Sequence, residues 1–354
     1  MAGTAARAAH DRGVASGEFF AAHAERIARL CDEMAVRFLD GGRLLALGAS
    51  GAARSDAHHV AVEFVHPVIV GKRALPALAV DDLADEAEPG DIVIAFAPAG
   101  AEWEFVPGSG DPSVDQELVE TLYHVLWELV HVFFEHRGLL EGRSERRAHD
   151  AGASSFLYPF LDERESDLDA VLADVRRSVL MKADEVGALR EQTLTDNASV
   201  LVGAAGALRA SFERGGKLLA LGNGGSATDA MDVVADFRAG GRPAIDLTED
   251  PGILTAIAND IGVEAIFSRQ VIAYGAPGDA LIALSTSGNS ANVIHALAEA
   301  RRRGLVTIAM VGYDGGRVAA EELADHVVVT RSEHIPRIQE AQASAYHALR
   351  ELVG

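Results

Sequence analysis

The chain has 354 residues, 49% of them hydrophobic and 24% charged, with 53 acidic against 31 basic side chains and a net charge of −22. That length accommodates two domains with ample core, and the acidic balance argues against bulk attraction to nucleic acid or to an anionic membrane surface. A single cysteine, Cys31, excludes an internal disulfide and fits a reducing compartment.

The stretch Met1–Phe20 is interrupted by Asp11, Arg12 and Glu18, so no signal peptide is expected there. No apolar run approaches the length of a transmembrane helix. The expectation is a soluble, cytoplasmic protein whose partners include neither nucleic acid nor membrane. Further along, Gly41-Gly42-Arg43-Leu44-Leu45-Ala46-Leu47-Gly48 returns almost unchanged as Gly215-Gly216-Lys217-Leu218-Leu219-Ala220-Leu221-Gly222. Gly90-Asp91-Ile92-Val93-Ile94-Ala95 is matched by Gly278-Asp279-Ala280-Leu281-Ile282-Ala283. Gln116-Glu117, Tyr123-His124 and Glu128-Leu129-Val130 are matched by Gln339-Glu340, Tyr346-His347 and Glu351-Leu352-Val353. Three anchors in the same order predict a tandem duplication. Between the last two anchors the first copy has Pro/Gly-rich sequence, Pro107–Pro112. The second copy has two further strand-like runs there, so the first sheet is expected to be smaller.

Residues 1–140 are therefore expected to form a degenerate first domain, 141–160 a linker and 161–354 the second domain. The linker reading rests on Glu141–Ser155, which is charged and then Ala/Gly/Ser-rich. A helix-compatible stretch, Asp162–Arg214, leads into the second domain. Its strands are predicted near Lys217–Leu221, Pro243–Leu247, Ala280–Leu284, Leu305–Val311 and Val327–Thr330. Helices are predicted near Thr228–Phe237, Ile253–Asn259, Ala291–Arg303 and Pro336–Leu352. Strands alternating with helices predict an α/β fold, two doubly wound parallel-sheet domains with five strands in the second.

Two βα turns of the second copy carry chemistry. Ser285-Thr286-Ser287-Gly288-Asn289-Ser290 links an apolar run to an amphipathic one. Four hydroxyls then gather at a helix N-terminus, where backbone N–H groups and the helix dipole favour an anion. A Ser/Thr turn that only caps a helix needs one hydroxyl; four predict a phosphate cradle. The turn Gly222-Asn223-Gly224-Gly225-Ser226 follows another strand and lacks dinucleotide-fingerprint spacing. Together the two turns predict a phosphorylated small molecule at the ends of parallel strands.

Polar residues also pair on helix faces. Gln116 and His124 stand two turns apart, as do Gln339 and His347. One turn apart on the helix after the first strand are His59 and Glu63 in copy one, and Asp232 and Asp236 in copy two. His, Glu and His with one more oxygen donor suit zinc or another borderline divalent ion. The alternative for Asp232 and Asp236 is a solvated helix face.

At these residues the chain resembles the sugar isomerase (SIS) domain family, and its second copy, roughly Leu189–Val353, resembles sedoheptulose 7-phosphate (phosphoheptose) isomerases. The resemblance rests on Gly222–Ser226 with Asp229-Ala230-Met231, Ala258-Asn259-Asp260 with Ile266-Phe267-Ser268-Arg269, Ser285–Val293, Asp314-Gly315-Gly316, and Arg337-Ile338-Gln339-Glu340 with His347. It implies a five-stranded parallel sheet flanked by helices and a tetrameric assembly, which two tandem copies would imitate as a homodimer. It also implies substrate contacts from Asn223, Gly224, Ser226, Asp260, Ser285, Thr286, Ser287, Ser290 and Gln339. The family's metal quartet is matched in full by His59, Glu63, Gln116 and His124 of copy one. In copy two Gln339 and His347 match, Asp232 and Asp236 replace His and Glu, and Pro336 stands where the family has Asp. Copy one carries Ala97-Pro98-Ala99-Gly100-Ala101-Glu102 where the Ser/Thr loop belongs, and its Gly48–Ser55 stretch lacks the Gly-rich turn.

The resemblance thus implies an aldose–ketose isomerase of a phosphorylated sugar, sedoheptulose 7-phosphate in the first place, working through an enediol. A carboxylate is the natural base and a His its acid partner; a metal would stabilise enediolate charge. The acid–base pair is then Asp236 with His347, or Glu63 with His124, the latter pair leaving a composite site open. The alternatives are a non-catalytic phosphosugar sensor or SIS scaffold protein, and a first copy that is purely structural.

Overall fold

The computed structural model describes residues 2–49, 51–67, 72–83, 87–140 and 168–354. The expected linker, 141–160, lies outside the described residues. Contacts divide the chain into two compact units, an N-terminal one of Asp11–Gly187 and a C-terminal one of Ala188–Gly354 with Met1–His10. No described helix is long and apolar enough to cross a membrane.

The N-terminal unit contains α1 (Ala2–Leu39, from Asp11 on), β1 (Leu44–Leu47), α2 (Gly51–Val65), β2 (Ala77–Val80), β3 (Ile92–Ala95), β4 (Trp103–Glu104), α3 (Pro112–Leu140) and the first part of α4 (Leu168–Asp196). Its sheet has four parallel strands in the order β2-β1-β3-β4. One core, from Phe20 and Ile27 on α1 through Trp127 on α3 to Val175 on α4, packs against it. Cys31 lies in that core, and burial pushes its thiol up.

The C-terminal unit continues with α5 (Ala198–Glu213), β5 (Leu218–Leu221), α6 (Gly225–Ala239), β6 (Ala244–Asp246), α7 (Pro251–Asp260), α8 (Ser268–Tyr274), β7 (Ala280–Ser285), α9 (Ala291–Arg302), β8 (Val306–Gly312), α10 (Gly316–Ala320), β9 (His326–Thr330) and α11 (Ile335–Val353). Five parallel strands run β6-β5-β7-β8-β9. The strands are near-continuous apolar runs because both faces are covered. Leu218, Ala220, Ile282 and Met310 face one core, and Leu219, Leu221, Leu281 and Val311 the other. All five fall where the alternation of apolar runs and glycine turns predicts them. The helix α1 and the short strand β4 are additions that sequence periodicity does not predict.

Connectivity places the site. From β5 the chain steps outward to β6 and then returns past β5 to β7. The loops leaving β5 and β7 therefore stand at the switch point of the sheet, at the carboxyl ends of the strands, where doubly wound sheets bind ligands. Both sequence-predicted turns leave those two strands.

Candidate functional site in the C-terminal unit

The first turn is built by close approach. A Cβ on Gly222 would stand 2.0 Å from Ser226 O, so only glycine fits. Ser226 N donates to Asn223 O at 3.1 Å and Ala227 N to Gly224 O at 2.9 Å, closing the turn into α6. The second turn is held the same way. Gly288 has φ +62, and a Cβ there would meet Gly315 O at 2.2 Å. Gly288 N donates to Ser285 Oγ and Asn289 N to Ser287 Oγ, both at 3.2 Å. Arg317 N donates to Asn289 Oδ1 at 3.0 Å, which ties the Asp314-Gly315-Gly316 turn to the loop. Ser290 is the N-cap of α9 yet makes no side-chain capping hydrogen bond. The capping alternative is thereby removed for that hydroxyl.

The two turns meet. Asn223 Nδ2 donates to Asn292 Oδ1 at 3.0 Å, and Asn292 Nδ2 returns the bond to Asn223 Oδ1 at 2.9 Å. Asn292, on the first turn of α9, has as its sequence signal its place within the Ser285–Val293 stretch. Asp260 sits exposed at the end of α7, accepting from its neighbour Asn259 Nδ2 at 2.8 Å.

Helices α6 and α11 bring Asp232, Asp236 and His347 together. His347 Nε2 lies 3.4 Å from Asp232 Oδ2 and 3.6 Å from Asp236 Oδ2. The side chains of Asp232 and His347 are 2% exposed and that of Asp236 is 33% exposed, so Asp236 is the one open to a ligand. A solvated face is therefore ruled out for Asp232. Burial raises the Asp236 carboxyl above its ordinary range, opposed by His347. Tyr346 Oη donates to Asp232 Oδ2 at 3.1 Å. Gln339 is buried on the same helix.

In the N-terminal unit, His59, Glu63 and His124 are buried and bring one ligand atom each within 4.8 Å of one another. His59 Nε2 lies 3.8 Å from Glu63 Oε1, and Tyr123 Oη is hydrogen-bonded to His59 Nδ1 at 2.9 Å. The second nitrogen is thus occupied and Nε2 is oriented, as in a supported metal ligand. Gln116 donates Nε2 to Asp56 Oδ1 at 3.1 Å, while its buried Oε1 has no hydrogen-bond partner. These donors fit a borderline divalent ion. The loop after β3 differs from its counterpart. Glu104 Oε2 accepts from Ala99 N at 3.0 Å and Gly100 N at 2.9 Å, so the chain's own carboxylate fills that nest.

A family profile described as SIS domain matches residues 183–312. The chain is 42% identical over 202 residues to the phosphoheptose isomerase of Chlorobium phaeobacteroides, covering 54% of this chain and 85% of that one. It is 45% identical over 174 residues to the phosphoheptose isomerase of Chlorobaculum tepidum, covering 47% of this chain and 82% of that one. The chain belongs to the phosphoheptose isomerase family of SIS-domain proteins. It is, with them, a phosphosugar isomerase. At 10% identity and a TM-score of 0.56, the C-terminal domain of glucosamine-fructose-6-phosphate aminotransferase from Francisella tularensis covers 98% of this chain and 93% of that domain, a likeness of fold alone.

Proposed function

We propose that the chain interconverts sedoheptulose 7-phosphate and the corresponding aldoheptose phosphate in its C-terminal unit. The observation that carries this is the pairing of the two turns through Asn223 and Asn292 at the switch point of the sheet. The Ser285–Ser290 loop binds the phosphate. Asn223, Gly224, Ser226, Asp260 and Gln339 bind the sugar.

Asp236, partly open and made more basic by burial, removes a proton from C1 of the ketose. His347 passes a proton from Nε2 to the C2 carbonyl oxygen, giving the enediol. Asp236 then returns its proton to C2, and His347 takes the proton of the C1 hydroxyl, leaving the aldehyde. Atoms and electrons balance without a co-reactant. A base matched to its operating pH contributes about 10²–10⁴-fold to such a step.

We further infer a tandem duplication, with a homodimer as the working assembly. In the N-terminal unit His59, Glu63, Gln116 and His124 would hold zinc or another divalent ion. Such an ion would supply Lewis acidity within that unit. A second reading, a phosphosugar sensor, draws on the replacement of the family's His and Glu by Asp232 and Asp236.

Turnover of a panel of phosphosugars, with and without chelator, tests the assignment. A faster rate with the heptose phosphate supports it, and binding without turnover of any sugar transfers the case to the sensor. Asp236→Asn should lose more kcat than Glu63→Gln. The reverse order would move the proton transfer to Glu63 and His124.

A further inference from the structure

We propose that the C-terminal unit moves its protons without a metal ion, and that Tyr346 and Asp232 act as positioning residues that aim His347; this rests on the isomerase reading above. The family's metal does not fit the residues of the C-terminal unit. Three donors that chelate an ion must converge on one point. His59, Glu63 and His124 do so within 4.8 Å, whereas Asp232, Asp236 and His347 form no such group. Instead His347 Nε2 is itself the meeting point, 3.4 Å from one carboxylate and 3.6 Å from the other. A lone pair on that nitrogen would face two anions. A proton on Nε2 would be attracted to both carboxylates, whereas an ion would need a free lone pair on that nitrogen.

The two carboxylates are not equivalent. Asp232 is sealed from solvent, and Asp232 Oδ2, the oxygen that faces His347, accepts the Tyr346 hydroxyl at 3.1 Å. That bond holds Asp232 as an acceptor and fixes the direction from which it pulls on the imidazole. Asp236 keeps its partial exposure and is left to meet substrate. Arg350, one turn further along α11, reaches the Asp236 backbone carbonyl at 3.4 Å and adds the remaining nearby charge. The N-terminal unit shows the other use of the same scaffold. Tyr123, immediately before His124, holds the imidazole of His59, and there the donors converge. With Asp in place of that imidazole, the tyrosine steadies a carboxylate, and a proton takes the place of the cation.

The test uses the full chain and counts metal atoms per chain by mass spectrometry beside steady-state kinetics. His347→Ala, with His347→Gln as its conservative companion should the first fail to fold, is expected to lose about 10²-fold or more in kcat and to keep the wild-type metal count. A fall in metal content on replacing His347 would overturn the proposal. Tyr346→Phe is expected to lower kcat about tenfold or more with KM for the phosphosugar unchanged, since misplacing an acid–base group can cost up to about 10²-fold. A raised KM with unchanged kcat would make Tyr346 merely structural and overturn its assigned role. The Nε2 proton of His347 should give a downfield proton resonance that shifts in Asp232→Asn. This signal reads the arrangement even if no sugar is turned over, so failure of the isomerase reading and failure of the metal-free arrangement remain separate; an absent resonance overturns the latter.

Discussion

The loops that leave β3 and β7 occupy corresponding places in two sheets and treat an anion in opposite ways. After β7, Ser285, Thr286, Ser287 and Ser290 crowd the entry to α9, and the Ser290 hydroxyl is not spent on capping. After β3 the loop has no hydroxyl, and its backbone donors at Ala99 and Gly100 converge on Glu104 of β4. In the β3 loop two backbone N–H groups point at one carboxylate, whereas in the β7 loop Gly288 N and Asn289 N donate to the hydroxyls of Ser285 and Ser287. One is furnished for a ligand and the other is filled by the chain itself. The difference teaches that a shared scaffold fixes where an anion goes, while side chains decide whose anion it is. It predicts one phosphosugar per chain.

The largest break in this comparison should come from Gly288. Gly288→Val adds a Cβ that would stand 2.2 Å from Gly315 O, at φ +62. Strain of about 3 kcal/mol should weaken phosphosugar binding about 100-fold. The matching change in the other loop, Gly100→Val, meets no atom within 4 Å although its φ is +71. It should leave affinity unchanged. Titration calorimetry of both variants checks the pair; equal losses would remove the Ser285–Ser290 loop as the distinct phosphate site.

The next effect concerns what the units have in common. Asp91 accepts from Arg43 N and Glu88 N, both at 2.9 Å, and binds the Arg43 guanidinium at 2.7 Å. Asp279 accepts from Lys217 N and Ala276 N, again both at 2.9 Å, and binds Lys217 Nζ at 2.6 Å. Each clamp ties the start of one central strand to its neighbour. Replacing either Asp with Asn should destabilise its unit by about 2 kcal/mol. Asp91 also carries a pH signature. Its hydrogen bonds to Arg43 hold the carboxyl down at about 2. A depressed folded value means that the stabilisation is complete above the unfolded carboxylate value, about 4, and is lost as pH falls toward 2. The gap in melting temperature between wild type and Asp91→Asn should close across that window.

Much of this was legible in the chain. The strands of the C-terminal unit were legible because a parallel strand covered on both faces is a run of apolar residues between turns. Both βα turns were legible because glycine and hydroxyl clusters punctuate such runs. The pairing of Asn223 with Asn292 was not, because it joins residues far apart in sequence through the order of strands. Tyr346 was visible as part of a repeated Tyr-His pair, but its hydroxyl's partner on α6 depends on how two helices pack. Glu104 was hidden for a different reason. Its ligands are backbone N–H groups, which carry no residue type to read.

The smallest effect belongs to that same carboxylate and sharpens the contrast most. Hydrogen bonds from Ala99 N, then Gly100 N, hold the Glu104 carboxyl below its ordinary range. The sign follows as for Asp91: the nest is closed above the usual carboxylate range and opens as pH falls through the depressed value. Glu104→Gln removes the charge while keeping the size. The amide resonances of Ala99 and Gly100 should then move toward unbonded positions and cease to titrate, with no change in phosphosugar affinity at the Ser285–Ser290 loop. If instead Glu104→Gln gave the chain a second equivalent of tightly bound phosphosugar, the β3 loop would be a working phosphate site held shut. The one-sugar stoichiometry would then reflect a single carboxylate and not the loss of the hydroxyls.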